Sequence, residues 1–427
     1  MFIYPQAEQN AAGQGAGGAQ VRQHNAGMLL RMLWDDPSGV SRADLARLSG
    51  LSRSTVSAIV ADLVDCGLVL ESHIERHRSG RPPMVLQFNH KRQLIAGVEI
   101  GCSHVSTVLM DLRGCVLGTR RSDEAVQVDP ESTMARVIQD VRSLCGAADV
   151  PVDSLLGVGV GVPCPLDQNQ PGRLSERILP AWSQVDIGRE LHAQLNVPLL
   201  IDNDANLGAL AEAWWGAGKD QESLVFVKIA TGVGAGIVVD GEIFGGSSGM
   251  AGEIGHTTVD PNGRLCRCGM LGCLEAEVGS QSIVDRVRHA LATGQTSCLS
   301  PVANPTLADV VAAARQHDPV ALAVIDEVGR YLGIAIANLL NLLNPSRVIL
   351  GGRVTEAGEP LVAAVRAAAS SRALSSSIEH AEIVLSLLDN EPFARGAATL
   401  VLKHALDTPT LFTESDPKLA AFVAVAK

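Results

Sequence analysis

From Ala251 to Glu275 the chain reads AGEIGHTTVDPNGRLCRCGMLGCLE, bringing one His, three Cys and three carboxylates (Glu253, Asp260, Glu275) into a stretch repeatedly broken by glycine. Cys266, Cys268 and Cys273 form a C-x-C-x4-C cluster, and His256 lies ten residues upstream of it. Three thiolates and one imidazole make a complete tetrahedral donor set for structural zinc. A free cysteine is commonly just a small buried hydrophobe. Three so close together, flanked by Gly263, Gly269 and Gly272, instead have the spacing of ligands. Four protein donors leave no open coordination position, so one Zn2+ per chain would hold a loop and not activate water. Glu253 and Glu275, beside the ligands, are what such a loop would present.

At 427 residues the chain is too long for one ordinary core and implies two or three domains. Its 46% apolar content can fill them, and 3% aromatic residues with much Ala and Val suit compact α/β packing. No apolar run approaches the roughly 18 residues of a membrane span. Residues 1–20 lack the basic and apolar regions of a secretory signal and read as a flexible tail. Nine cysteines, three of them assigned to metal, fit a reducing cytoplasm better than a disulfide framework. A net charge of −12 argues against indiscriminate nucleic-acid binding, yet residues 21–92 hold ten Lys/Arg against seven Asp/Glu. A mildly basic head on an acidic body suits a DNA reader fused to a sensing domain; a solvated charged face would give the same asymmetry.

Within that head, Met28, Leu29, Met32 and Leu33 recur at helical spacing before Pro37–Gly39 interrupts. Ser41 followed by Asp44 resembles a helix cap, Gly50 ends the short helix, and Ser52 opens another carrying Val56, Ile59, Val60 and Leu63 inward. This is a helix-turn-helix spacing. Ser54, Ala58 and Ala61 point away from the buried stripe, with Arg53, Thr55 and Ser57 beside them. Small and hydroxylated side chains let a helix enter a major groove, and Arg53, Ser54, Thr55 and Ser57 could meet phosphates or base edges. A three-helix packing module without DNA would share the pattern. The strands expected at residues 67–71 and 84–88 enclose a basic loop with Arg78 and Arg81, which reads as a wing on DNA.

Beyond residue 93 buried strands dominate: Leu94–Gly101, Val105–Asp111, Cys115–Arg120, Leu155–Val162, Leu199–Ile201, Leu224–Ile229 and Arg347–Leu350. Strand, turn, strand, strand is how an actin-like ATPase lobe begins. Asn203-Asp204-Ala205-Asn206 precedes a helix, where Asp204 could simply be its N-cap. The turn Thr231–Gly236 is glycine-rich, Tyr331–Leu343 is an apolar helix, and Ala394–Leu406 is a closing one.

Gly80-Arg81-Pro82-Pro83, the Asn203–Asn206 turn, Ala230-Thr231-Gly232-Val233-Gly234-Ala235-Gly236-Ile237, and Gly252-Glu253-Ile254-Gly255-His256 with its cysteine cluster, occurring in this order, resemble the ROK family of sugar kinases and repressors, specifically its winged-helix repressor branch. The resemblance covers about residues 21–405. It implies an α/β chain: a winged helix-turn-helix (21–90), then a two-lobed actin-like ATPase (ribonuclease H-like) domain of sugar-kinase type. Its first lobe would be 91–205, completed by a helix at 391–406, its second lobe 206–390 with the zinc loop, and 407–427 a tail. By position Asn203, Asp204, Glu253, His256 and Glu275 match sugar-contacting residues. Carboxylates suit that task, offering paired acceptors to adjacent hydroxyls. Asp204 also matches the base that deprotonates the accepting hydroxyl in the kinases.

The departures fall on the phosphate side. Where the kinases have D-x-G-G-T, this chain has Glu99-Ile100-Gly101-Cys102-Ser103. Glycines serve there because backbone N–H groups must approach phosphate, and a Cys102 side chain obstructs that approach. Arg353 follows Gly351-Gly352 where a third glycine is usual, and Cys164 stands where the sugar-side turn commonly has glycine. The expectation is a cytoplasmic regulator, no longer a phosphotransferase, that binds operator DNA as a dimer or tetramer and senses a sugar or phosphosugar without a membrane. An active sugar kinase with a DNA-binding extension is the alternative, and a sugar-transport protein is an alternative effector.

Overall fold

The computed structural model describes residues 18–73, 84–166, 173–174, 178–388, 391–412 and 423–425. The head comprises helices α1 (Gly18–Asp35), α2 (Arg42–Ser49) and α3 (Arg53–Asp65) and an antiparallel hairpin of β1 (Val69–His73) and β2 (Met84–Phe88). Its punctuation is local. The Ser41 hydroxyl accepts the Asp44 N–H at 3.1 Å, Gly50 closes α2 at φ +71, and Ser52 caps α3 through the Thr55 N–H at 3.1 Å. Leu45, Val56, Ile59, Val60 and Leu63 are buried as their spacing predicts. α1 begins at Gly18, inside the segment read as tail. The wing loop, with Arg78 and Arg81, lies outside the described residues.

The body repeats one topology twice. β3 (Leu94–Ile100), β4 (His104–Asp111) and β5 (Val116–Asp123) form an antiparallel meander; after α4 (Pro130–Ala147), β6 (Gly157–Val162) joins parallel to β3. α5 (Ile187–Leu195) then leads to β7 (Leu199–Asn203), giving the order β5-β4-β3-β6-β7. α6 (Asp204–Trp215) crosses to the second sheet. There β8 (Leu224–Ile229), β9 (Val233–Val239) and β10 (Glu242–Ile243) make the same meander. Next come α7 (Leu274–Val278), α8 (Ser280–Ala292), α9 (Leu307–Arg315) and α10 (Pro319–Leu343). β11 (Arg347–Gly351), α11 (Glu359–Ser370), α12 (Ser375–His380) and β12 (Glu382–Leu385) complete the order β10-β9-β8-β11-β12. The two sheets thus share one strand order, which is the actin-like ATPase duplication.

α13 (Pro392–Asp407) returns to the first sheet and packs on α6 so closely that a Cβ at Gly396 would stand 2.0 Å from the Leu207 carbonyl oxygen. Beyond it, within the segment read as tail, β13 (Val423–Val425) pairs parallel with β7. Head and body share a core: Leu29, Leu33 and Leu63 join Leu207, Leu210, Leu402 and Ala405. At its rim Trp34, from the end of α1, meets Trp214 and Trp215, from the end of α6, with ring centroids 5.1 and 6.0 Å away. Trp34 donates to the Leu112 carbonyl at 2.7 Å, and Trp215 to the Thr399 hydroxyl at 2.7 Å.

Candidate functional site

A cleft with room for about 50 Å3, open to solvent, lies where β3, β6, β7 and β8 end. Strand C-termini are where open α/β sheets present ligand sites. All five residues expected to face a sugar line it: Asn203, Asp204, Glu253, His256 and Glu275. The cap of α6 is Asn203, whose side-chain oxygen accepts the Ala205 N–H at 2.9 Å. Asp204 is therefore the first helical residue and not the cap, which leaves its buried carboxylate to ion-pair with Lys228. Against burial, Asp204 and Glu99 hold the Lys228 ammonium protonated, above its usual range. Asp202, just behind, accepts the Asn203 N–H at 2.6 Å and an Asn206 side-chain N–H at 3.0 Å, yet burial pushes its carboxyl up to about 6.

Across the cleft, Arg267 donates to both Glu275 oxygens, at 2.7 and 2.9 Å, and the Val233 N–H donates to the same carboxylate at 3.0 Å. Glu253 is pushed up to about 7, first by burial and then by the neighbouring Glu275 and Asp204 charges. Arg267 sits between Cys266 and Cys268, and Cys273 immediately precedes α7, which carries Glu275. Knuckle and cleft wall are thereby one covalent unit.

The donor atoms of His256, Cys266, Cys268 and Cys273 lie within 4.8 Å of one another. His256 Nδ1 is 3.7 Å from Cys266 Sγ, and the Cys268 and Cys273 sulfurs are 3.6 Å apart. A tetrahedron built on the Zn–S bond length has edges of about 3.8 Å, so the four groups fit a metal ion of that kind. Gly272 lets the knuckle close: it sits at φ +66, and a Cβ there would fall 1.5 Å from the Asp260 carbonyl oxygen.

On the phosphate side, Glu99 is buried and turned to His104, 3.4 Å away, while Cys102 lines the cleft wall. In the head, Arg53, Ser54, Ser57, Ala58 and Ala61 are exposed along α3. Thr55 is half-buried, its hydroxyl 2.8 Å from that of Ser52 and engaged in the helix cap. Sequence reasoning missed Lys228, Arg267 and His104. For Lys228 there was a signal: one lysine inside the apolar run Leu224–Ile229 must find a buried partner.

Two lobes of one repeated topology, a polar cleft at their strand ends and a helix-turn-helix head define a protein built as a DNA-binding module on a sugar-kinase-type frame. The ROK family matches residues 95–404 and the IclR helix-turn-helix domain matches residues 24–72. This chain belongs to the ROK family. It is 31% identical over 392 residues to the xylose repressor of Bacillus subtilis, covering 92% of this chain and 98% of that one. A solved ROK family transcriptional regulator, homologous to the Escherichia coli MLC protein, superposes with a TM-score of 0.80 at 30% identity, over 94% of this chain and 99% of the other. A ROK family glucokinase from Streptomyces griseus, in complex with glucose and AMPPNP, gives a TM-score of 0.65 at 26% identity, over 72% and 98%. No described helix is long and apolar enough to cross a membrane.

Proposed function

We propose that this chain is a transcriptional repressor of carbohydrate metabolism whose winged helix-turn-helix binds operator DNA and whose kinase-type body senses a sugar. The observation that carries the reading is the near-complete coverage shared with a repressor, 92% and 98% of the two chains, which spans head and body together. Asn203, Asp204, Glu253, His256 and Glu275 converge on the cleft as sugar contacts, and one structural Zn2+ on His256, Cys266, Cys268 and Cys273 braces the wall that carries the last of them. Arg53, Ser54 and Ser57 approach the major groove, Arg78 and Arg81 the adjacent backbone, and two or four copies act on paired half-sites. Sugar binding favours one arrangement of the lobes over another and so changes the spacing of the heads. Phosphotransfer is lost: Cys102 stands in the phosphate turn, and Asp204, the base position, is tied to Lys228.

Fragments selected from genomic DNA by the purified chain identify the operator. Fluorescence anisotropy on that operator then follows release by D-xylose, D-glucose and N-acetyl-D-glucosamine. Operator affinity unchanged across the panel would sink the sensing role. A second reading, a working sugar kinase, draws on the same cleft, which both Asp204 and the Gly232–Gly234 turn line. Hexose-dependent ADP release at millimolar ATP would establish it; we expect none.

A further inference from the structure

β8 is fully buried except at Lys228, whose side chain is 13% exposed, mostly buried but reaching the cleft. A buried ammonium is tolerated only when paired. Its partner is Asp204, with the Phe393 ring 4.6 Å from the nitrogen. An ammonium carries three N–H donors, and among the described residues the hydrogen bond it makes is the one to Asp204. Donors therefore remain for a guest in the cleft. Arg267, the other cation of the lining, is committed to Glu275 by two hydrogen bonds. Each cation is matched by a carboxylate and Glu253 adds a further acid, so the cleft offers a phosphate dianion no uncompensated positive charge.

We propose that Lys228 is a ligand-contacting residue that sets effector class. Lys228 donates to, and Asp204 accepts from, one hydroxyl of an uncharged sugar, and the same cleft discriminates against sugar phosphates. The inference rests on the sugar-sensing reading above. A hydroxyl fits such a pair because it is donor and acceptor at once, whereas a phosphate oxygen could use the ammonium only by bringing its charge against Asp204.

The test is calorimetric titration of the full chain with D-xylose, D-glucose, N-acetyl-D-glucosamine, and the 6-phosphates of the latter two. We expect at least one neutral sugar to bind, and each 6-phosphate to bind about tenfold or more weakly than its parent. Lys228→Met alone leaves Asp204 buried without a partner, so the companion variant is Lys228→Met with Asp204→Asn, which removes both charges together. That double variant should melt near the wild type yet lose more than about tenfold in sugar affinity, since the hydroxyl loses both of its charged partners. Lys228→Arg should restore part of the loss and alter the ratio of sugar to sugar-phosphate affinity, which a merely structural lysine would not move. A 6-phosphate that binds as tightly as its parent overturns the assignment, as does a folded double variant with wild-type sugar affinity. If the wild type binds none of the five, the sensing reading falls and Lys228's role with it.

Discussion

Asp202 shows how one buried carboxyl sets a pH dependence. Its folded pKa is raised from 3.8 to about 6 by burial, so the folded chain holds a proton that the unfolded chain has released. Stability contributed by this group therefore falls as pH rises from 3.8 to about 6, and above that the penalty is constant. Asp202→Asn should keep acceptors for Asn203 and Asn206 and gain on the order of 2 kcal/mol over wild type near neutral pH, with little gain at pH 4. Urea melts across that range measure it; a difference independent of pH would refute the protonated form. At the same scale, Cys273→Ser should abolish stoichiometric zinc by elemental analysis and lower operator binding and sugar response together. The gathering of His256, Cys266, Cys268 and Cys273 was legible because a metal-binding donor set shows as spacing. Lys228 showed only as a lone lysine in an apolar strand, with no sign of which acid it meets, and Arg267 not at all, since its pairing with Glu275 is set by how the cysteine loop folds back on α7.

Among the elements, α6 and α13 meet at a contact that leaves no room for a side chain. Gly396→Ala must push its methyl into the Leu207 carbonyl, 2.0 Å away, and should cost more than about 2 kcal/mol by thermal melt. Wild-type melting would mean the helices separate easily. For α3 the expectation is opposite: Ala58 is exposed, so Ala58→Trp should leave the melting temperature unchanged while blocking entry to the groove, seen as lost operator binding. Elements with strong periodicity or caps, α2 and α3 above all, were readable in advance. β13 was not, because three residues gain strand structure only by pairing with β7. The sequence leaves a cap role open to Asp204 for a related reason: Asn and Asp are comparable N-caps, and only the folded turn assigns that job to Asn203.

At the scale of the molecule, a duplicated frame carries a head that packs on both the end of α6 and the end of α13, where Arg31 pairs with Asp407. α6 starts at the cleft with Asp204 and finishes at Trp214 and Trp215 against Trp34. The chain has four tryptophans, and the fourth, Trp182, is fully buried in the first lobe. The intrinsic emission of this protein is thus concentrated at the joint between reader and sensor. Its rings are close enough to exchange excitation, and Arg113 and Arg395 lie 5.6 and 5.2 Å over two of them. With Trp182→Phe the remaining tryptophan fluorescence comes wholly from that joint, giving an unlabelled optical gauge of head position. Sugar should shift its wavelength or intensity in step with operator release, and an emission spectrum unmoved through full release would mean that the heads part without disturbing this joint.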